Sequence, residues 1–383
     1  MKKAAAIFLT AMLVFASVPA ASASAQAGTS AKAYVLAEAS TGRVIASQNA
    51  DAQLPIASTT KIMTALITLE QPELNSYFTV DPKAIQVEGT SMGLREGDQV
   101  NFYSLTHGML LSSGNDAANT AAVKIGGSVE KFAELMNRKA QELGMTNSHF
   151  VTPSGLHDEG HYSTARDMAT LARYALKNPR FAAICRKTKA KLCFGNPPFD
   201  RWLSNHNRLL TDYEGCVGIK TGFTKKAGRC LVSAATRNGV TLVCVTLNDP
   251  NDWQDHKALF DYGFSVVKPV EIEPRLEGLS LRIVGGLTKA LPVRALDKTY
   301  ACVTEQQKGE LEQEVFLSPF YYAPVSEGDW VGQIIHYYKG FEVARTDLVA
   351  GESAAYDETP PKKTAWEKIK AFLERHLKWD RSH

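Results

Sequence analysis

Residues 54–70 read LPIASTTKIMTALITLE. Hydroxyl residues follow Ala57, then comes Lys61, then an apolar run that reads as a helix. Ser58 and Lys61 stand at i and i+3, so one helical turn brings them onto a common face. A lysine cation at the start of a helix is badly placed against the positive end of the macrodipole. That misplacement has a chemical use. A serine hydroxyl is a weak nucleophile until a base accepts its proton. A neutral lysine amine is such a base once its pKa, roughly 10.4 when free, has been lowered. Burial and a second nearby cation both lower it. The stretch therefore offers Ser58 as nucleophile and Lys61 as base. Alone the spacing is a weak signal, because a solvated lysine on a capping turn shows the same pattern.

Two further segments supply what such a pair needs. LLSSGNDAANTAA contains Ser113-Gly114-Asn115, and CVGIKTGFT contains Lys220-Thr221-Gly222 on an expected strand. A hydroxyl beside Lys61 relays a proton to a leaving amine, which suits Ser113. The Asn115 amide holds Lys61 and donates to a substrate carbonyl. Lys220 is the second cation, depressing Lys61 and attracting an anionic substrate end. Thr221 hydrogen-bonds that end. Gly222 lets an extended peptide lie along the strand without a side-chain clash. Backbone N–H groups of Ser58 and Phe223 would form an oxyanion hole.

The rest of the 383-residue chain frames these motifs. Hydrophobic content of 44% and charged content of 22% fit a globular protein with a sizeable core, and the length suggests two domains. A formal net charge of +3, without a basic stripe interleaved with aromatics, gives no sign of a nucleic-acid partner. Residues 1–25 open with Lys2 and Lys3, continue with an apolar run and end in A-x-A sites, the pattern of a signal peptide. The expected destination is the outer face of the cytoplasmic membrane, in the cell wall or periplasmic space. Six cysteines allow 15 pairings and form no C-x-x-C, leaving disulfides and buried thiols both open.

Two strands around Ser40-Thr41-Gly42, helices through the middle and strands from Gly215 to Asn248 predict an α+β domain over 26–267, with one mainly antiparallel sheet. From 268 to 352, short alternating segments between Gly, Pro and Asp turns predict a small all-β domain. Residues 353–363 read as a linker. Over 364–383 an amphipathic helix places Trp366, Ile369, Phe372, Leu373, Leu377 and Trp379 on one face. Lys362 to His383 holds seven Lys/Arg against three Asp/Glu, the composition of a membrane-surface helix. A helix docked on the protein's own surface is the alternative. His157 and His161 in HDEGH are four apart but lack H-E-x-x-H, so a hydrogen-bonded structural role is expected rather than a metal site.

S-x-x-K, S-x-N and K-T-G in this order are the signature of penicillin-binding proteins and class A β-lactamases. With ASTTKIMTA, LLSSGNDAANTAA, GLHDEGHYSTARDMA and GIKTGFTKKAG, the chain resembles the low-molecular-mass penicillin-binding proteins, serine-type D-alanyl-D-alanine carboxypeptidases. The resemblance implies a β-lactamase/transpeptidase-like domain and removal of the terminal D-Ala from peptidoglycan stem pentapeptides. Ser58 would be acylated, with β-lactam antibiotics as inhibitors and with no metal or organic cofactor. The chain departs from the family at two points. Phe223 stands where some members carry His, and DPNDWQDHK lacks the Arg that some place there, leaving Lys220, Thr221 and Lys225 for the substrate carboxylate. A β-lactamase is the nearest rival, but no E-x-x-L-N segment lies between the second and third motifs. A DD-endopeptidase shares the chemistry, and a non-catalytic wall-binding protein would not need the motifs.

Overall fold

The computed structural model describes residues 28–359 and 364–377. The expected signal peptide lies outside the described residues, as do Lys362, Lys363 and Trp379. The chain divides into two compact units, the second made of the residues from Val267 onward together with Glu38–Gly42 and Asn238–Val240.

In the first unit β1 (Ala33–Glu38) and β2 (Val44–Gln48) form the expected antiparallel pair. A 3₁₀ turn, Ala57–Thr60, runs directly into α1 (Lys61–Leu69). All nine residues of α1 are buried, so this apolar helix is the central one, packed by its neighbours on every side. Two short strands, β3 (Phe78–Thr79) and β4 (Gln99–Val100), bracket a long Gly-punctuated loop. Then come α2 (Phe102–Leu110), α3 (Asn115–Gly126), α4 (Val129–Glu142), α5 (Ala165–Lys177) and α6 (Pro179–Cys185). Capping residues punctuate this run: Asn101, Ser128, Thr164 and Asn178 each accept a backbone N–H at the start of their helix. Pro179 does not only stop α5. It is the first residue of α6, where its missing N–H is not needed.

A hairpin absent from the expected elements follows, β5 (Lys189–Gly195) with β6 (Pro198–Ser204), then a single turn α7 (Leu209–Asp212). The strand texture from Gly215 to Asn248 becomes β7 (Cys216–Thr224), β8 (Gly228–Arg237) and β9 (Val240–Leu247), and α8 (Asp252–Val266) closes the unit. The five strands lie in the order β2-β1-β9-β8-β7. Distant ends of the unit therefore meet at the sheet centre, and β7, which carries Lys220-Thr221-Gly222, is an edge strand.

The second unit holds β10 (Val270–Ile272), β11 (Ser280–Val284), β12 (Ala290–Ala295) and β13 (Thr299–Ala301). After them come α9 (Glu305–Gly309), β14 (Glu312–Leu317), β15 (Tyr321–Tyr322), β16 (Trp330–Tyr338) and β17 (Phe341–Ala350). Six strands form one sheet, β14-β16-β17-β12-β11-β15. Its alternating residues Leu281, Ile283, Leu291, Val293, Ile334 and Leu348 build the core. The all-β expectation holds with one exception. Thr304 and Gln307 form a capping box that starts α9, a local signal present in TEQQK. Beyond this unit's sheet, α10 (Ala365–Leu377) exposes Trp366, Ile369, Phe372 and Leu373.

Candidate active site

The 3₁₀ turn sets the first geometry. Side chains at i and i+3 of such a turn eclipse, which places Ser58 over Lys61. Lys61 Nζ donates to Ser58 Oγ at 2.9 Å, to Asn115 Oδ1 at 2.6 Å and to the Ser154 carbonyl at 2.7 Å. All three ammonium donors of this fully buried side chain are thus satisfied, and none of the partners is a carboxylate. Burial first, then the Lys220 charge, hold the amine well below its ordinary range, and Asp116 works against them. That is the condition under which lysine serves as a base near neutral pH.

Lys220 is the mirror of Lys61 across the site. It is buried on β7, and its Nζ donates to Ser113 Oγ at 3.0 Å and to the Thr221 carbonyl at 2.6 Å. Burial pushes its pKa down to about 7. Ser113 adopts φ +57 and Ala57, just before the nucleophile, φ +48. Left-handed backbone at non-glycine residues is a local strain that the surrounding packing must hold. Gly222 has a packing reason beyond the peptide-edge role expected of it. A Cβ there would stand 3.0 Å from Thr59 N and 3.1 Å from both Ile56 O and Ser58 N. Gly155, at φ +80, approaches the same turn from the other side, and a Cβ there would run into the Ala57 carbonyl.

Ser58, Ser113, Asn115, Thr221, Gly222 and Phe223 line one cleft of about 380 Å³. The structure thus brings together eight of the residues singled out from the sequence, with Lys61 and Lys220 buried beneath the cleft, and leaves Lys225 out. Several contributors were not legible in the motifs. Asn115 is clamped by the Gly-punctuated loop: its Nδ2 donates to Glu88 O at 2.6 Å and its N–H to Thr90 O at 2.7 Å. Asp116 gathers the same loop, accepting from the Met92, Gly93, Leu94 and Ala117 N–H groups and from Ser91 Oγ. His206 also lines the cleft, and burial with the Lys220 charge holds its pKa below the usual value.

Arg229 is the main addition. It sits opposite Phe223 in the β7–β8 register and lines the cleft with it. Its Nε and Nη2 donate to Asp252 Oδ1 at 3.0 and 2.8 Å, and its guanidinium lies 5.3 Å from the Trp253 ring. Lys225, the further cation expected from the sequence, is exposed and does not line the cleft. Asp252 and Trp253 belong to the DPNDW segment that lacks an arginine, and they hold one supplied by the neighbouring strand. Only the hairpin register of β7 and β8 shows this.

HDEGH builds structure. His161 Nδ1 accepts the Val151 and Thr152 N–H groups, its Nε2 meets Thr60 Oγ1 at 2.8 Å, and burial pushes its pKa down to about 4. A neutral imidazole donating to Thr60 satisfies every one of these contacts and pins the turn that presents Ser58. None of the six cysteines forms a disulfide.

A serine hydroxyl beside one buried lysine, with a second buried lysine on an edge strand, is the arrangement of the penicillin-recognising serine hydrolases. Residues 20–251 match the family described as D-alanyl-D-alanine carboxypeptidase, and residues 278–355 match the C-terminal domain of penicillin-binding protein 5. The chain belongs to the D-alanyl-D-alanine carboxypeptidase family, whose members are serine hydrolases acting on the cell wall. It is 30% identical over 339 residues to the D-alanyl-D-alanine carboxypeptidase DacF of Bacillus subtilis, covering 84% of this chain and 85% of that one. It is 36% identical over 244 residues to DacB2 of Mycobacterium tuberculosis, covering 62% of this chain and 83% of that one. The solved D-alanyl-D-alanine carboxypeptidase DacD of Francisella tularensis superposes with a TM-score of 0.61 at 26% identity, covering 87% of this chain and 96% of that one. Penicillin binding protein 5 of Haemophilus influenzae gives 0.61 at 27% identity, covering 86% and 98%. The α+β and all-β plan expected from the sequence is that of these relatives.

Proposed function

We propose that Ser58 Oγ attacks the carbonyl of the penultimate D-Ala of a stem pentapeptide while Lys61 Nζ accepts its proton. The Ser58 and Phe223 N–H groups stabilise the oxyanion. Ser113 passes a proton to the departing D-Ala amine, and water then cleaves the acyl-enzyme. Lys220, Thr221 and Arg229 receive the terminal carboxylate, and the free edge of β7 takes the peptide as an added strand. β-Lactams acylate the same hydroxyl. The observation that supports this reading most is the Lys61 amine, buried, hydrogen-bonded to neutral oxygens and 2.9 Å from Ser58 Oγ. The test is D-Ala release from a pentapeptide by the unchanged chain and by Ser58→Ala. Release should vanish in the variant, with persistent labelling by a fluorescent penicillin lost in parallel. Equal release overturns the assignment, and rapid turnover of the penicillin favours a β-lactamase.

The proposal extends to location. Residues 1–25 direct export, and α10 lies in the membrane surface through its exposed apolar face and the net +4 charge of residues 362–383.

A further inference from the structure

The β unit carries an apolar patch where its chain leaves for α10. Three segments meet there. Val284 at the end of β11 pairs with Tyr322 of β15, and Ala323 donates to the Val284 carbonyl at 3.0 Å. The turn that follows is bridged to the exit segment. Gly286 pairs with Tyr356, Leu287 N–H donates to Ala355 O at 3.1 Å, and Asp357 N–H donates to Gly285 O at 2.8 Å. Phe320 packs on Tyr322 with ring centroids 5.3 Å apart. The side chains this junction leaves to solvent are large: Leu287 is 63% exposed, Tyr322 69% and Tyr356 58%, with Phe320 and Val284 beside them. The junction's own charges are paired, Lys289 Nζ lying 3.9 Å from the Asp357 carboxylate and donating to Gly286 O.

We infer that this patch is a second membrane contact, seated in the headgroup region of the bilayer that α10 binds. The inference rests on the membrane reading of α10. Only six residues separate Asp357 from Thr364, so the junction stays within about 25 Å of the start of that helix. A chain held at a bilayer by α10 therefore holds the patch at the same surface, at high effective concentration. The chemistry fits that occupant. Tyrosine rings with a polar tip beside leucine and phenylalanine are the composition of a membrane–water interface. With its local lysine and aspartate paired, the patch supplies apolar contact while α10 supplies the positive charge. Two attachment points also restrict the orientation of the β unit, which one tethered helix does not.

The test measures partitioning of residues 26–383 onto vesicles of phosphatidylcholine with phosphatidylglycerol. Leu287→Ser with Tyr322→Ser should weaken partitioning about tenfold, from the apolar area withdrawn, while D-Ala release from a soluble pentapeptide is unchanged. Ile369→Ser with Phe372→Ser should detach the chain. Unchanged partitioning of the patch variant, with the helix variant detached, overturns this inference and leaves the α10 reading standing. A helix variant that stays bound overturns the α10 reading instead. Where the double patch variant loses its fold, Tyr322→Trp decides: brominated lipid should quench the added emission, and an unquenched signal overturns the inference. Loss of binding to isolated wall sacculi with vesicle binding intact also overturns it.

Discussion

Replacing Lys220 by methionine should destroy activity and stabilise the fold. The amine is buried, and burial alone takes its pKa from 10.5 to about 7. At about 1.4 kcal/mol per pH unit, holding that charge inside disfavours the folded chain by about 5 kcal/mol relative to water. Methionine removes the charge at nearly the same volume. It also leaves Ser113 Oγ and the Thr221 carbonyl without the donor they have at 3.0 and 2.6 Å. Those losses offset about 2 kcal/mol. At pH 6 the variant should therefore be about 3 kcal/mol more stable, as when an apolar side chain replaces a buried ion. Below pH 7 the amine is charged in both folded and unfolded chains, and the whole penalty applies. Between pH 7 and 10.5 the folded chain has released the proton while the unfolded chain still binds it, so the wild type gains stability as pH rises. The advantage of the variant should close at about pH 9. Urea denaturation of both chains across this range measures the gap, with D-Ala release followed alongside. A variant less stable than wild type at pH 6, or a gap that does not change with pH, refutes burial as the origin of the depressed pKa.

Asp116→Asn keeps the shape but loses charged acceptance of four backbone N–H groups and the Ser91 hydroxyl, so it should destabilise by about 2–4 kcal/mol in urea denaturation. Gly222→Ala places a methyl 3.0–3.1 Å from the backbone of the Ser58 turn. Stopped-flow acylation by a fluorescent penicillin should slow about tenfold through misplacement of the hydroxyl, with the fold intact. Arg229→Leu should lower kcat/KM about tenfold or more for a pentapeptide with a free carboxylate. It should leave a C-terminally amidated analogue unaffected, and equal losses on both would assign Arg229 to packing.

The sequence alone put the candidate pair side by side. Ser58 and Lys61 are three residues apart, and a single turn of any helical kind brings them together. α1 was legible as an apolar run, and β7, β8 and β9 as strands, because a buried face is written in the local period of the side chains. The three remote motifs are recognisable by their order and type, not by any distance along the chain. What the sequence could not supply depended on how separate segments dock. In the hairpin β5–β6 the first strand alternates cleanly, but β6 does not: Trp202 faces solvent and Arg201 stacks on Phe194 and Phe199. Arg229 enters the cleft only through the β7–β8 register, the Ser154 carbonyl reaches Lys61 only by loop closure, and Asp116 acts on residues 22–25 positions earlier. The tertiary structure alone decided how far the two lysines are depressed. Desolvation depends on everything packed around a charge, and no local stretch of chain contains its own surroundings.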